Sequence, residues 1–306
     1  MNLLEYIKER RLIDKLNTRN IHRNYNTIRE IYNRTDLNHS TLTLDSFVQC
    51  MKFVDTEIEN TNTQLEDIFN KEIQPPRLKQ SYANYEQKKT MDIEAVSEDI
   101  FSPELKDRVL LKIKKYIDYQ FPGCEIGPRT MFWTKELGGL DPLFLVGPDL
   151  KLMEDVSKQF NPIYERRLRI YQIEDADFSY LPQNAFSFVF SWYHFEFLPY
   201  DIIDRYLAGV FNMLRPGGTA FLSYANCLIE KSAEQFEKNY YCYMTTQLME
   251  GLSTKNGFDI LEQEDFQSRM SWVILKKPGR FTRGIKRVPS IGYMRDYRTD
   301  KIPEIS

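Results

Sequence analysis

Apolar residues near the start of the chain recur every three or four positions, and further on they gather into short unbroken runs. Leu3, Leu4, Ile7, Leu12, Ile13 and Leu16 fall on one face of a helix, and Ile28 and Ile31 mark a second between Tyr25 and Tyr32. Asp45 is a candidate cap for a third helix, in which Phe47, Met51 and Val54 share a face. An Asn-rich stretch between the first helices and the pair Pro75-Pro76 read as punctuation. Residues 77–100 are polar without periodicity and predict a linker or a loosely packed strap. Ser102-Pro103-Glu104 supplies an N-cap, a first-turn proline and a first-turn acid, and Leu105, Val109, Leu110, Ile113 and Ile117 give the following helix its apolar face.

From Gly123 onward, strand-length runs alternate with helical segments. Strands are expected at 124–126, 143–146, Leu168–Gln172, Phe186–Ser191 and 219–224. This alternation predicts an α/β domain built on a mostly parallel, doubly wound sheet. Two final runs, 257–261 and Met270–Lys276, predict an antiparallel hairpin closing one edge. Three parts follow: a helical module and linker over 1–100, the α/β domain over 101–277, and a tail over 278–306.

Composition narrows the chemistry. None of the 13 glycines precedes Gly123, which excludes a glycine-rich phosphate loop from everything before it. A net charge of −3 gives no global field for nucleic acid. The apolar runs are far shorter than the ~20 residues of a membrane span. The N-terminus carries an acid and lacks a cleavable apolar region, so a cytoplasmic or other intracellular location is expected. Four cysteines without a C-x-x-C pair and three scattered histidines predict no metal centre and suit a reducing compartment.

Charge is also segregated. Residues 1–34 hold eight Lys/Arg and four acids, whereas 35–72 hold two Lys and eight acids. Two solvated helix faces attracting each other in a hairpin is the commoner meaning, and a docking module for a protein partner is the sharper one. The tail interleaves Phe281, Tyr293 and Tyr297 with basic residues, which suits a phosphate backbone with stacked bases, an arm on a neighbouring subunit, or an unstructured end.

The chemistry concentrates at Glu125-Ile126-Gly127-Pro128-Arg129-Thr130-Met131, which ends the first strand and opens a helix. Doubly wound sheets bind ligands at such a turn, where an acid can hold a cationic group or hydroxyls and a glycine admits the ligand to the backbone. His194 follows the fourth strand within range of a substrate hydroxyl or amine as a general base; packing with Trp192, Tyr193 and Phe195 is the competing reading.

Residues 122–277 resemble a class I S-adenosylmethionine-dependent methyltransferase of the small-molecule, type 11-like kind. Glu125 and Gly127 match the acid and first glycine of the family's acid-x-Gly-x-Gly-x-Gly turn. Asp177-Phe178-Ser179-Tyr180-Leu181-Pro182 resembles its Asp-x-x-x-Leu-Pro turn, 183–191 its fourth strand with lead-in, and Leu214-Arg215-Pro216-Gly217-Gly218 its turn before strand five. The resemblance implies S-adenosylmethionine as cofactor, held by Glu125, Gly127, Arg129, Asp149, Asp177, Phe178 and Ser191. Within it, the acid at Asp177 and the next backbone N–H read adenine.

The cofactor motif is degenerate. Arg129 and Met131 replace the second and third glycines. Gly147 stands where an acid usually holds the ribose, with Asp149 two residues on as its substitute. Ser187 replaces an acid, and Glu196-Phe197-Leu198-Pro199 lacks the histidine of Glu-His-Leu-Pro. Three functions stay open: methyl transfer to a small nucleophile or one attached to a surface such as a glycan; a catalytically inactive assembly module in a multi-subunit particle, with protein partners on the N-terminal helices or the tail; and nucleic-acid binding or modification through the tail. An Asn/Asp-Pro-Pro-Tyr motif is absent, which disfavours the last.

Overall fold

The structure, a computed structural model, describes residues 2–17, 44–88, 102–128, 131–266 and 270–279. The expected helix between Tyr25 and Tyr32, Arg129, and the tail beyond Gly279 lie outside them.

Seven strands form one sheet: β1 (Gly123–Ile126), β2 (Leu143–Gly147), β3 (Leu168–Gln172), β4 (Phe186–Ser191), β5 (Leu214–Tyr224), β6 (Asp259–Phe266) and β7 (Met270–Lys276). Their order is 3-2-1-4-5-7-6. The first five are parallel, and β7 runs antiparallel to both β5 and β6. The central strands are covered on both faces, which is why they read as continuous apolar runs rather than alternating ones. The order reverses between β1 and β4, and a crevice at their carboxyl ends is the expected ligand position of such a sheet.

The two faces carry different cores. Cys124, Ile126, Val189, Leu222 and Val273 pack with α8 (Tyr200–Met213) and α10 (Thr246–Lys255). On the other face Leu145, Phe188, Phe190, Trp192, Phe221 and Trp272 pack with α4 (Pro103–Tyr116) and α5 (Met131–Glu136). Glu125, between Cys124 and Ile126, faces this second, aromatic side, with Leu145 and Phe190 as its cross-strand neighbours.

Helix α4 begins as its sequence predicts, the Ser102 side chain accepting from the Leu105 N–H at 3.2 Å. Its outer side is tied to β6 by Lys112, Lys115 and Tyr116, all of which donate to Glu262. Partial burial opposes ionisation of Glu262, but those three bonds outweigh it and hold the carboxyl down at about 2. Because the folded value lies below the unfolded one, the stabilisation is present at neutral pH and fades as pH falls from about 4.5 towards 2. Glu262→Gln should therefore cost about 1 kcal/mol at pH 7, after allowing for solvent screening, and almost nothing near pH 2. Urea unfolding at the two pH values measures this.

The N-terminal helices are α1 (Leu3–Asn17), α2 (Leu44–Ile68) and α3 (Gln74–Lys88). Leu3, Tyr6, Ile7, Leu65, Phe69 and Ile73 build a third core with Cys227, Ala233, Phe236 and Tyr243 of the α/β part. Tyr6 stacks on Phe69 with centroids 4.8 Å apart, and Arg10 meets Glu66 at 3.5 Å. The basic first helix and the acidic second thus attract one another. Such an exposed pair contributes little by itself, so the apolar contacts carry the docking.

Two expectations need correcting here. Pro75-Pro76 does not break the helix but sits in the first turn of α3. The preceding residues, Phe69–Ile73, widen into a π turn in which the Gln74 N–H reaches back to the Phe69 carbonyl. This turn accommodates prolines that cannot donate. Of residues 77–100, expected as linker or strap, 77–88 are helical, with Ser81 fully buried against the α/β part, and 89–100 lie outside the described residues.

Candidate functional site

Glu125 is the most unusual residue at the carboxyl end of the sheet. It is 2 % exposed, on a face that is otherwise apolar and aromatic. Burial pushes its carboxyl up to about 8, and a hydrogen bond with Thr134 of α5 pulls it partly back. Its Oε2 is buried and has no hydrogen-bond partner among the described residues. A buried polar atom left without a partner costs free energy, so such atoms are rare and cluster at functional sites.

Gly127 turns the chain just beyond β1. Its φ is +63°, and its N–H donates to the Val146 carbonyl at 2.7 Å. A Cβ here would lie 2.5 Å from both Cγ and Nδ1 of His194. Backbone conformation and packing therefore both demand glycine. His194 is buried, with its ring 5.1 Å from Tyr206 and 5.7 Å from Phe195 by centroid. Ser191 ends β4 and donates through Oγ to the Ile126 carbonyl at 2.8 Å, tying β4 to the end of β1.

Asp149, Asp177 and Phe178 follow β2 and β3 at the same end of the sheet. Asp149 is exposed after β2 and caps α6 (Leu150–Lys158), its Oδ1 accepting from the Leu152 N–H at 2.9 Å. Gly147 ends β2 and approaches Gly127, whose Cα lies 3.5 Å from where a Gly147 Cβ would be. Asp177 is exposed and accepts from the Ser179 N–H at 2.9 Å, a bond that lowers its carboxyl below the usual range. Phe178 is core: its ring packs on Tyr206 at 5.3 Å and fills the space that a Cβ on Gly209 would need. Arg129 lies outside the described residues, as does the side chain of Met131, which opens α5.

The structure thus brings Glu125, Gly127, Ser191 and His194 together around the ends of β1 and β4, while Asp149 and Asp177 flank them after β2 and β3. Sequence reasoning missed Thr134, which partners Glu125, and gave no weight to the backbone of Tyr193, held at φ +61°. Among the described residues, no group of three or more His, Cys, Asp or Glu is placed to hold a metal ion, and no helix is long and apolar enough to cross a membrane.

No protein-family model and no curated protein matches the chain. Solved structures align with parts of the chain at low identity and low structural similarity. A possible exported protein of Bordetella parapertussis aligns at 11% identity over 66% of this chain and 80% of its own, with a TM-score of 0.47. An S-adenosylmethionine-dependent methyltransferase of Mesorhizobium loti aligns at 11% over 54% and 96%, with a TM-score of 0.45. One from Methanosarcina mazei aligns at 14% over 55% and 98%, with a TM-score of 0.43. Parallel strands ordered 3-2-1-4-5, an antiparallel β7 inserted between β5 and β6, and helices on both faces give this chain the class I S-adenosylmethionine-dependent methyltransferase fold.

Proposed function

We propose that the chain binds S-adenosylmethionine across the carboxyl ends of β1 to β4 and directs its methyl group to a small or surface-attached nucleophile. One observation supports this above the others: the buried Oε2 of Glu125, which has no partner among the described residues. A ligand ammonium would complete that carboxylate, and the methionine end of the cofactor carries one. The Gly127 turn and the end of β2 at Gly147 approach one another closely, so backbone rather than side chains forms the surface between β1 and β2. Asp149 and Asp177 present exposed carboxylates for hydroxyl and amino groups.

The bound cofactor supplies an electrophilic methyl group for in-line displacement, a reaction that needs positioning more than acid–base chemistry. Glu125 would hold the ammonium end as a carboxylate, its proton released to solvent. Asp149 would accept from ribose hydroxyls, and Asp177 with the Phe178 N–H would read the adenine edge. Ser191 keeps the ends of β1 and β4 in register. His194, wedged between Gly127 and Tyr206, forms a wall of the turn and is not needed as a base. Calorimetric titration with S-adenosylmethionine and S-adenosylhomocysteine tests the reading. Binding should be measurable and should weaken about tenfold or more in Glu125→Gln. Absence of heat at millimolar ligand removes it.

A second reading keeps the fold as an assembly module without cofactor. It draws on His194, whose ring covers the Gly127 turn, and on the structural duties that Asp149, Asp177 and Ser191 already carry. It predicts no binding of either ligand and protein partners through the N-terminal helices.

A further inference from the structure

The chain reverses soon after β3. Asp175 and Ala176 both have positive φ, +50° and +61°, and the Asp177 N–H closes the turn onto the Glu174 carbonyl at 2.9 Å. This is the pattern of a type I′ turn, whose central positions favour Asn or Asp and then glycine. Asp175 meets that preference, and Ala176 does not. The Cβ of an alanine is strained in this conformation. Such strain persists only where the surroundings over-determine it, most often at a functional site.

Both ends of the turn are anchored. The Ile173 N–H donates to the carbonyl of Gly147, the residue that approaches Gly127, at 3.0 Å. Ala176 is partly buried against the core that contains Phe178, and Phe178 is fixed there by Tyr206 and the bare Gly209. Between these anchors Asp177 is exposed, with its carboxylate oriented by the Ser179 N–H. The next donor along the chain, the Phe178 N–H, makes no hydrogen bond among the described residues. A fixed acceptor and an open donor thus follow one another at the end of β3. Adenine offers the complement, a donating amino group beside an accepting ring nitrogen. Hypoxanthine inverts both, with an accepting oxygen beside a ring N–H.

We infer that Ala176 is a positioning residue for base selectivity: its turn, held stiff by an alanine where glycine is favoured, fixes Asp177 and the Phe178 N–H so that adenine is accepted and hypoxanthine refused; this rests on the cofactor reading above. Ala176 acts through Asp177 and need not touch the ligand. Glycine at this position would permit the same turn and many other conformations, and part of the binding energy would then go into ordering it.

Calorimetric titration of the full chain with S-adenosylhomocysteine and with S-inosylhomocysteine gives the ratio of the two affinities. Wild type should prefer the adenosyl compound by about tenfold or more. In Ala176→Gly the ratio should fall about threefold or more, while the inosyl affinity stays the same. Ala176→Val, whose branched side chain opposes positive φ, should lower the ratio further. Thermal unfolding first establishes that each variant folds. A turn with only a structural role would alter unfolding and leave the ratio alone. An unchanged ratio in folded Ala176→Gly overturns the inference. So does a wild type that binds both compounds equally, a result that leaves the cofactor reading standing. Binding of neither compound to wild type sinks that reading and the inference with it.

Discussion

Glu125→Gln should raise the unfolding temperature, and the gain should grow with pH. In the unfolded chain the Glu125 carboxyl titrates near 4.5, while in the fold burial holds it at about 8. Below the lower value both states carry the proton, and stability is highest. As pH rises from there to the upper value, the native state retains a proton that the unfolded state has lost. Stability then falls by about 1.4 kcal/mol per pH unit and levels off beyond. Glutamine never titrates, so the variant escapes this loss. The difference should reach roughly 3–5 kcal/mol at pH 8.5, on the order of 5–10 °C in a chain of this size, and shrink at pH 5. Thermal unfolding across that range measures it. A variant less stable than wild type at pH 8.5, or a pH-independent gap, would mean that the carboxylate is paired. The same substitution should weaken cofactor binding, so stability and binding should move in opposite directions, as at sites kept strained for function.

Gly127→Ala should be among the most damaging single substitutions in the chain. Its φ of +63° costs an alanine roughly 1–2 kcal/mol. The new Cβ would also sit 2.5 Å from two atoms of the His194 ring, which is itself confined by Tyr206 and Phe195. Together these should destabilise by about 3 kcal/mol or more. His194→Ala removes the obstacle, so in that background Gly127→Ala should cost only its backbone term. Chemical unfolding of the four proteins gives the coupling between the two sites. Strict additivity would show that the imidazole does not lie on the turn.

Much of this fold is legible from apolar spacing, because parallel strands covered on both faces must be apolar throughout. Phe186–Ser191 and Leu168–Gln172 fall where the pattern predicts, and the Ser102 cap sits where its residue types predict. Strand ends are less legible. Leu214-Arg215-Pro216-Gly217-Gly218 reads as a turn, and within the eleven-residue β5 residues 215–218 bulge out between the Phe186–Leu214 and Phe188–Thr219 pairings, with Gly217 at φ +81°. Pro75-Pro76 reads as a break because the π turn that absorbs it has no signature in residue types.

The site shows the same division. Glu125 and Gly127 can be picked out by their place after the first strand. What surrounds them cannot: the carboxyl at about 8 depends on Leu145, Phe190 and Thr134 converging from three other elements, and the glycine requirement depends on His194 arriving from β4. Asp149 and Asp177 are legible as acids near strand ends, but not as residues already engaged by Leu152 and Ser179. The charge segregation reads as two helices that attract one another, and α1 and α2 meet at Arg10 and Glu66.

The central claim is that Glu125 waits, protonated and with its Oε2 unpartnered among the described residues, for a cationic ligand group. Calorimetric titration of S-adenosylhomocysteine at about pH 6.5, in two buffers of different ionisation enthalpy, counts the protons exchanged on binding. The account predicts release of about one proton per ligand, fading towards zero above about pH 9 and absent in Glu125→Gln. Binding heats that are the same in both buffers, or no heat at all, would contradict it.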